Sequence, residues 1–169
     1  MEGEIVNKVA NSALMVFDME DLYPSNPRLE LDIAQWLYEG FILREKDFRA
    51  HLKDFDWSTY TDAYVALYCS TDAILPAWAF MLVTSYLQPV AKKVYLGDKK
   101  ALERAIFQDL LEEVDYSIYD GKATIIKGCS KHDIPEEAYI LSTQKLMKHA
   151  RSVMFGEACS AVPIFKKKV

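Results

Sequence analysis

The sequence predicts an α/β protein, in the form of a single three-layer α/β/α domain over residues 1–169. Short apolar segments alternate with helix-patterned segments of three or four turns, which is typical of a mostly parallel sheet covered by helices. The segment before Ala63 is mainly helix-patterned and predicts a helical N-terminal flank. A composition of 51% hydrophobic and 27% charged residues suits one globular domain. No linker, low-complexity tract or internal repeat is predicted.

Five short apolar segments predict the strands of the sheet, because turn residues such as Gly97-Asp98 and Asp120-Gly121 bound them. These strands are expected at residues 13–18, 63–69, 93–96, 122–127 and 152–156. A last apolar piece, residues 162–165, contains Pro163, which cannot donate to a sheet ladder. This piece is therefore expected at an edge of the sheet or outside it.

The helices that cover the sheet are expected near residues 76–90, 98–114 and 135–150. Pro76 suits a first helical turn, and residues 77–83 are apolar on all sides, which predicts a largely buried helix. In the N-terminal flank, Asp32 is expected to cap a helix that carries Ile33, Trp36 and Leu37. A second helix is expected from about Glu45.

Charge and motifs exclude several classes of protein. A formal net charge of -5 argues against a nucleic-acid partner, which requires a basic face. The longest apolar run, residues 73–83, is too short to span a bilayer, and the N-terminus lacks a leader pattern. We therefore expect a cytoplasmic protein with no membrane contact. The sequence contains no glycine-rich phosphate loop, nucleophile elbow or paired C-x-x-C motif.

Three cysteines, Cys69, Cys129 and Cys159, each follow a predicted strand. Ligands bind at the carboxyl ends of parallel strands, so the three thiols are expected to converge at one edge of the sheet. His132 stands in C-x-x-H spacing with Cys129, and Asp72 follows Cys69 by three residues. Thiolates and imidazole suit zinc, and three thiols suit an iron–sulfur cluster. These five residues are the predicted metal ligands, and zinc or an iron–sulfur cluster is the predicted cofactor.

Other interpretations of the same residues stay open. The cysteines could merely pack, in a non-catalytic interaction module whose partner surface is the aromatic and acidic segment of residues 18–57. Alternatively, Cys129 could be the nucleophile of an enzyme that acts on a small molecule. The acidic residues Asp18, Glu20 and Asp21 either bind a divalent cation or form a solvated loop.

Several segments resemble an uncharacterised bacterial family, domain of unknown function 2480. The resemblance spans nearly the whole chain and includes residues 32–37, 44–49 and 76–79. Its most specific pieces contain the cysteines: Cys69-Ser70-Thr71-Asp72-Ala73-Ile74, Lys127-Gly128-Cys129 and Gly156-Glu157-Ala158-Cys159-Ser160. The resemblance implies a role in iron–sulfur cluster assembly, with assembly proteins as partners. It implies no catalytic residue.

Overall fold

The computed structural model describes residues 14–128 and 130–168, which alternate between strands and helices. The strands are β1 (Leu14–Asp18), β2 (Arg28–Asp32), β3 (Tyr64–Tyr68), β4 (Lys93–Leu96), β5 (Ala123–Lys127), β6 (Ser152–Phe155) and β7 (Val162–Lys166). The α-helices are α1 (Glu45–Asp54), α2 (Ala77–Leu87), α3 (Lys99–Glu113) and α4 (Glu136–His149). Short 3-10 helices cover Ile33–Trp36, Trp57–Tyr60 and Tyr116–Tyr119. The predicted strands and the three long helices are thus confirmed to within a few residues.

The described strands form two sheets, whereas the sequence predicts one. One sheet has the strand order β1-β5-β6-β7 and the other has the order β2-β3-β4. All neighbouring strands pair in parallel except β6 and β7, which are antiparallel. The α/β class and the mostly parallel pairing are therefore confirmed. The prediction of one sheet is wrong because strand–helix alternation specifies parallel pairing without specifying which strands are neighbours.

The residues cluster into two compact units, each of which contains one of the two sheets. The continuous unit is Pro24–Ala105 and contains the three-stranded sheet, and the discontinuous unit combines Met1–Tyr23 with Ile106–Val169. The expectation of a single domain stays a prediction.

The continuous unit departs from prediction around its first strand. Residues Arg28–Asp32 form β2, which was not predicted. Charged and apolar residues alternate in it, but five positions are too few for this pattern to indicate a strand. Asp32 ends this strand and caps a single 3-10 turn, Ile33–Trp36, rather than an α-helix. The helix predicted from Glu45 is confirmed as α1, whose Phe48 and Leu52 are buried.

Helix α2 is less buried than its composition predicts. Only the stripe Ala79, Val83 and Leu87 is buried, and Met81 is 70% exposed. One side of the helix packs against the core of the continuous unit, while an all-apolar sequence by itself does not specify which side that is. Within the described residues, no helix has the length and apolar character needed to cross a membrane.

The discontinuous unit builds its own core around β5, which lies between β1 and β6. Phe107 and Leu111 from α3 and Leu146 from α4 are fully buried in this core. Among the described strands, β7 pairs with β6 alone and lies at one edge of the sheet, which is one of the two placements that Pro163 predicts.

Candidate functional site

The predicted cysteine site divides between the two units. Cys69 follows β3 in the continuous unit, where it is partly buried against the core and its Sγ lies 3.4 Å from Thr71 Oγ1. Cys159 is exposed in the turn after β6, in the discontinuous unit. Cys129 lies outside the described residues. The predicted convergence assumed neighbouring strands in one sheet, and β3 and β6 belong to different sheets.

The two other predicted ligands are divided in the same way. Asp72 is exposed in the loop after β3, within the continuous unit. His132 is exposed in the discontinuous unit, and its ring stacks on Tyr23 with centroids 3.8 Å apart and an interplanar angle of 3°. Among the described residues, no three His, Cys, Asp or Glu side chains are grouped so that they could hold a metal ion.

The carboxyl edge of the four-stranded sheet carries several charged side chains that form ion pairs with one another. Lys127 Nζ lies 3.4 Å from Asp18 Oδ2 and 3.7 Å from Glu157 Oε1. The negative charges of Glu157 and Asp18 raise the pKa of Lys127. Asp18 also accepts a hydrogen bond from the Glu20 amide, and Glu20 pairs with Lys131. Lysine ammonium groups therefore occupy the place that a cation would take beside Asp18 and Glu20.

The carboxyl edge of the three-stranded sheet is organised by Asp32. Its Oδ1 accepts hydrogen bonds from the amides of Ala34 at 2.9 Å and Ser70 at 3.0 Å. Burial opposes ionisation of Asp32, but the hydrogen bonds from Ser70 and Ala34 outweigh it and lower the pKa of Asp32. Asp32 thereby holds the loop after β3 against the end of β2.

The same edge carries exposed apolar side chains that the sequence analysis did not single out. Residues 38–42, here called the apolar turn, are closed by a bridge between Tyr38 and Ile42. Gly40 in this turn has a φ of 78°, which favours glycine. Phe41 is 59% exposed, and Tyr38 and Ile42 are exposed as well. The guanidinium of Arg44 lies over the Tyr38 ring at 3.2 Å.

A hydrogen bond joins the apolar turn to the loop after β3. Thr71 Oγ1 donates to the carbonyl oxygen of Gly40 at 2.7 Å. Three residues further along the same loop, Ile74 is 98% exposed. Apolar side chains that lie together on neighbouring exposed loops mark interaction surfaces more often than isolated ones do. The available signal in the sequence was the run of large apolar residues on either side of Gly40.

Comparison with known proteins adds family membership to this geometry. No curated protein matches the chain, and no solved structure matches it. A family model matches residues 3–167, which is nearly the whole chain. The predicted resemblance to this family is confirmed over that range. The chain belongs to the family described as protein of unknown function DUF2480.

Proposed function

We propose that this protein is a non-catalytic interaction module that binds a partner protein through the apolar turn and Ile74. The observation that carries the proposal is the exposure of Phe41, Ile42 and Ile74 on two loops joined by a hydrogen bond. Large apolar and aromatic side chains of this kind form the centres of protein interfaces. The apolar turn lies within residues 18–57, the segment that one of the alternative interpretations of the sequence gives as a partner surface, and Ile74 lies outside that segment.

Acidic side chains beside this surface favour a partner with basic side chains, although Arg44 lies over the Tyr38 ring of the same turn. Glu39 and Asp72 are exposed on the same two loops, and the chain carries a net charge of -5. An apolar partner face rimmed by basic side chains would complement it. Rim charges chiefly change the association rate and are screened by salt, whereas the buried apolar contacts supply affinity.

The test uses two labelled synthetic amphipathic peptides that have the same leucine face but are flanked either by lysines or by glutamates. Fluorescence anisotropy measures the binding of each peptide to the full chain. We expect the lysine peptide to bind more tightly than the glutamate peptide. Phe41→Ser should weaken its binding by about tenfold, which corresponds to about 1.4 kcal/mol. Ile140→Ser, at an exposed position on α4, is the matched control and should leave binding unchanged.

Two outcomes would overturn the proposal. In one, neither peptide binds the wild-type chain. In the other, Phe41→Ser and Ile140→Ser bind the lysine peptide as well as the wild type does, which would indicate that the acidic chain attracts basic peptides without using this surface.

A second proposal keeps the sulfur and metal function that the cysteines predict, with zinc or an iron–sulfur cluster as cofactor and iron–sulfur assembly proteins as partners. The supporting observation is that Cys159 is exposed at the carboxyl end of β6, next to the ion pair of Glu157 and Lys127. Anaerobic purification with elemental analysis and a visible spectrum tests it. Bound zinc or iron should be lost in Cys159→Ser and retained in Cys69→Ser. Absence of metal, together with failure to reconstitute with iron and sulfide, would remove this proposal.

A further inference from the structure

A capped 3-10 helix occurs twice in the chain in the same form. Asp56 caps the 3-10 helix Trp57–Tyr60, and Asp115, which lies 59 residues later, caps the 3-10 helix Tyr116–Tyr119. Asp56 Oδ1 accepts from the Ser58 amide at 3.0 Å and from the Ser58 hydroxyl at 2.6 Å. Asp115 Oδ1 accepts from the amide and hydroxyl of Ser117 at the same two distances.

The helices that precede these caps match at the same spacing. Phe107 and Leu111 of α3 lie 59 residues after Phe48 and Leu52 of α1, and all four side chains are fully buried. In each unit a ring of the 3-10 helix donates to the carbonyl oxygen of the helix leucine. Trp57 Nε1 donates to Leu52 at 2.9 Å, and the Tyr116 hydroxyl donates to Leu111 at 3.0 Å.

The strand–helix–strand segments that follow also match. Pro76 precedes α2 and Pro135 precedes α4, again 59 residues apart. Gly97 and Gly156 follow β4 and β6 with φ angles of 131° and 114°. The Gly97 amide donates to the carbonyl oxygen of Leu67 in β3 at 2.9 Å, and the Gly156 amide donates to that of Ile126 in β5 at 3.0 Å. Among these equivalent positions, the buried apolar pairs include Tyr60 and Tyr119, Ala79 and Ala138, Leu87 and Leu146.

Each segment is completed by one of the two N-terminal strands. Strand β2 pairs in parallel with β3, and β1 pairs in parallel with β5, in the equivalent register. The Tyr60 hydroxyl lies 3.4 Å from the Glu30 carbonyl oxygen, and the Tyr119 hydroxyl lies 3.5 Å from that of Val16. The first strand of each unit is therefore held by the equivalent tyrosine.

We infer that the chain is an internal duplication of one α/β module, and that residues 44–98 and 103–157 are its two aligned copies without a gap. The continuous unit is inserted between β1 and the remainder of the discontinuous unit. Matching hydrogen bonds, buried positions and backbone angles at one constant offset carry this inference. Two βαβ segments of unrelated origin share topology but have no reason to share these side-chain contacts.

The two copies differ most in the loop between strand and helix at the carboxyl edge. Residues 68–76, from the end of β3 to the start of α2, contain one charged residue, Asp72, whereas the equivalent residues 127–135 contain Lys127, Lys131 and Asp133. Equivalent positions that differ, with the continuous unit first, are Tyr68 and Lys127, Asp72 and Lys131, Ala73 and His132, and Ile74 and Asp133. The shared positions therefore maintain the fold, and the two edges have specialised for different contacts.

A segment exchange in the full-length chain tests the duplication. Residues 57–98 are replaced by the sequence of residues 116–157, which has the same length. We expect this aligned chimera to unfold cooperatively with the circular dichroism of the wild type. A control graft shifted by one residue, the sequence of 117–158, should lose cooperative unfolding, because every strand residue changes its face. Equal behaviour of the two grafts counts against the duplication.

A small exchange tests the same inference without repacking a whole unit. Trp57→Tyr with Thr59→Ile gives the first 3-10 helix the sequence of the second. We expect the new hydroxyl to reach the Leu52 carbonyl oxygen, as Tyr116 reaches Leu111. This variant should therefore melt at a higher temperature than Trp57→Phe with Thr59→Ile, which lacks the donor. Equal melting temperatures would overturn the inferred equivalence of the two sites.

Discussion

Removing one partner of the ion pair between Arg28 and Glu103 should destabilise the continuous unit strongly. Arg28 Nε lies 3.0 Å from Glu103 Oε1, and the two side chains are only 10% and 17% exposed. Arg28 also donates to the carbonyl oxygens of Pro24 and Asn26. The side chain thus ties the start of β2 both to α3 and to the loop that precedes the strand.

The expected magnitude follows from two opposing contributions. At an effective dielectric constant of about 20, opposite charges 3 Å apart attract by about 5 kcal/mol. Desolvation costs several kcal/mol for each ion and offsets most of this attraction. The pair therefore contributes little net stability. A single substitution still leaves an unpaired buried charge, so Arg28→Met or Glu103→Met should each cost about 3 to 4 kcal/mol. The double variant should lie within about 2 kcal/mol of the wild type.

Urea denaturation followed by tryptophan fluorescence measures these changes, and the four proteins form a double-mutant cycle. The pair of Arg49 and Glu45 is the matched control, because it has the same atoms 2.9 Å apart but its side chains are 53% and 60% exposed. Arg49→Met should cost less than about 1 kcal/mol. Equal losses at Arg28 and Arg49, or additive losses in the cycle, would refute the reasoning that burial makes the first pair different.

Four further substitutions test local features of the fold. Thr124 is fully buried in β5, and its hydroxyl has no hydrogen-bond partner in the described part of the chain, so Thr124→Val should raise the free energy of unfolding by about 1 kcal/mol; a loss would contradict this. Gly97→Ala should cost about 3 kcal/mol, since its φ is 131° and the new Cβ would lie 2.7 Å from Ala101 Cβ. Gly121→Ala has a φ of 68° and, among the described residues, no atom within 4 Å of the new Cβ, so it should cost only about 1 kcal/mol in the same urea titration. Burial, with Glu112 nearby, raises the pKa of Tyr116 to about 12. The contribution of the protonated Tyr116 to the free energy of unfolding is therefore complete below about pH 10 and is lost as the pH rises towards 12. Tyr116→Phe should flatten the stability curve in that range, and an unchanged slope would exclude this tyrosine as the cause.

Local patterns in the sequence determined most element boundaries. The strands expected at 93–96 and 122–127 are found at Lys93–Leu96 and Ala123–Lys127, and the helix expected at 135–150 is found at Glu136–His149. These elements are bounded by Gly97, Gly121 and Pro135, whose backbone preferences act within a few residues. Such signals need no knowledge of the rest of the chain.

The cysteine site could not be derived in this way, because its geometry depends on which strands are neighbours. Cys69 and Cys159 were correctly placed after strands, yet β3 and β6 lie in different sheets. Strand pairing joins residues that are far apart in sequence, as when β1 pairs with β5. Local hydrophobic patterns carry no information on that choice.

By itself, the sequence determined the α/β class, the parallel character of the pairing and the absence of Pro163 from the interior of a sheet, because each follows from the preferences of short segments. Only the tertiary structure decided that β2 is a strand, that one side of α2 stays exposed and that Phe41 and Ile74 lie on joined loops. The module repeated at residues 44–98 and 103–157 belongs to this second group. Thirteen of its 55 aligned residues are identical and the others differ, whereas its buried positions and hydrogen bonds coincide, because packing constrains the volume and geometry of a site more tightly than the identity of its residue.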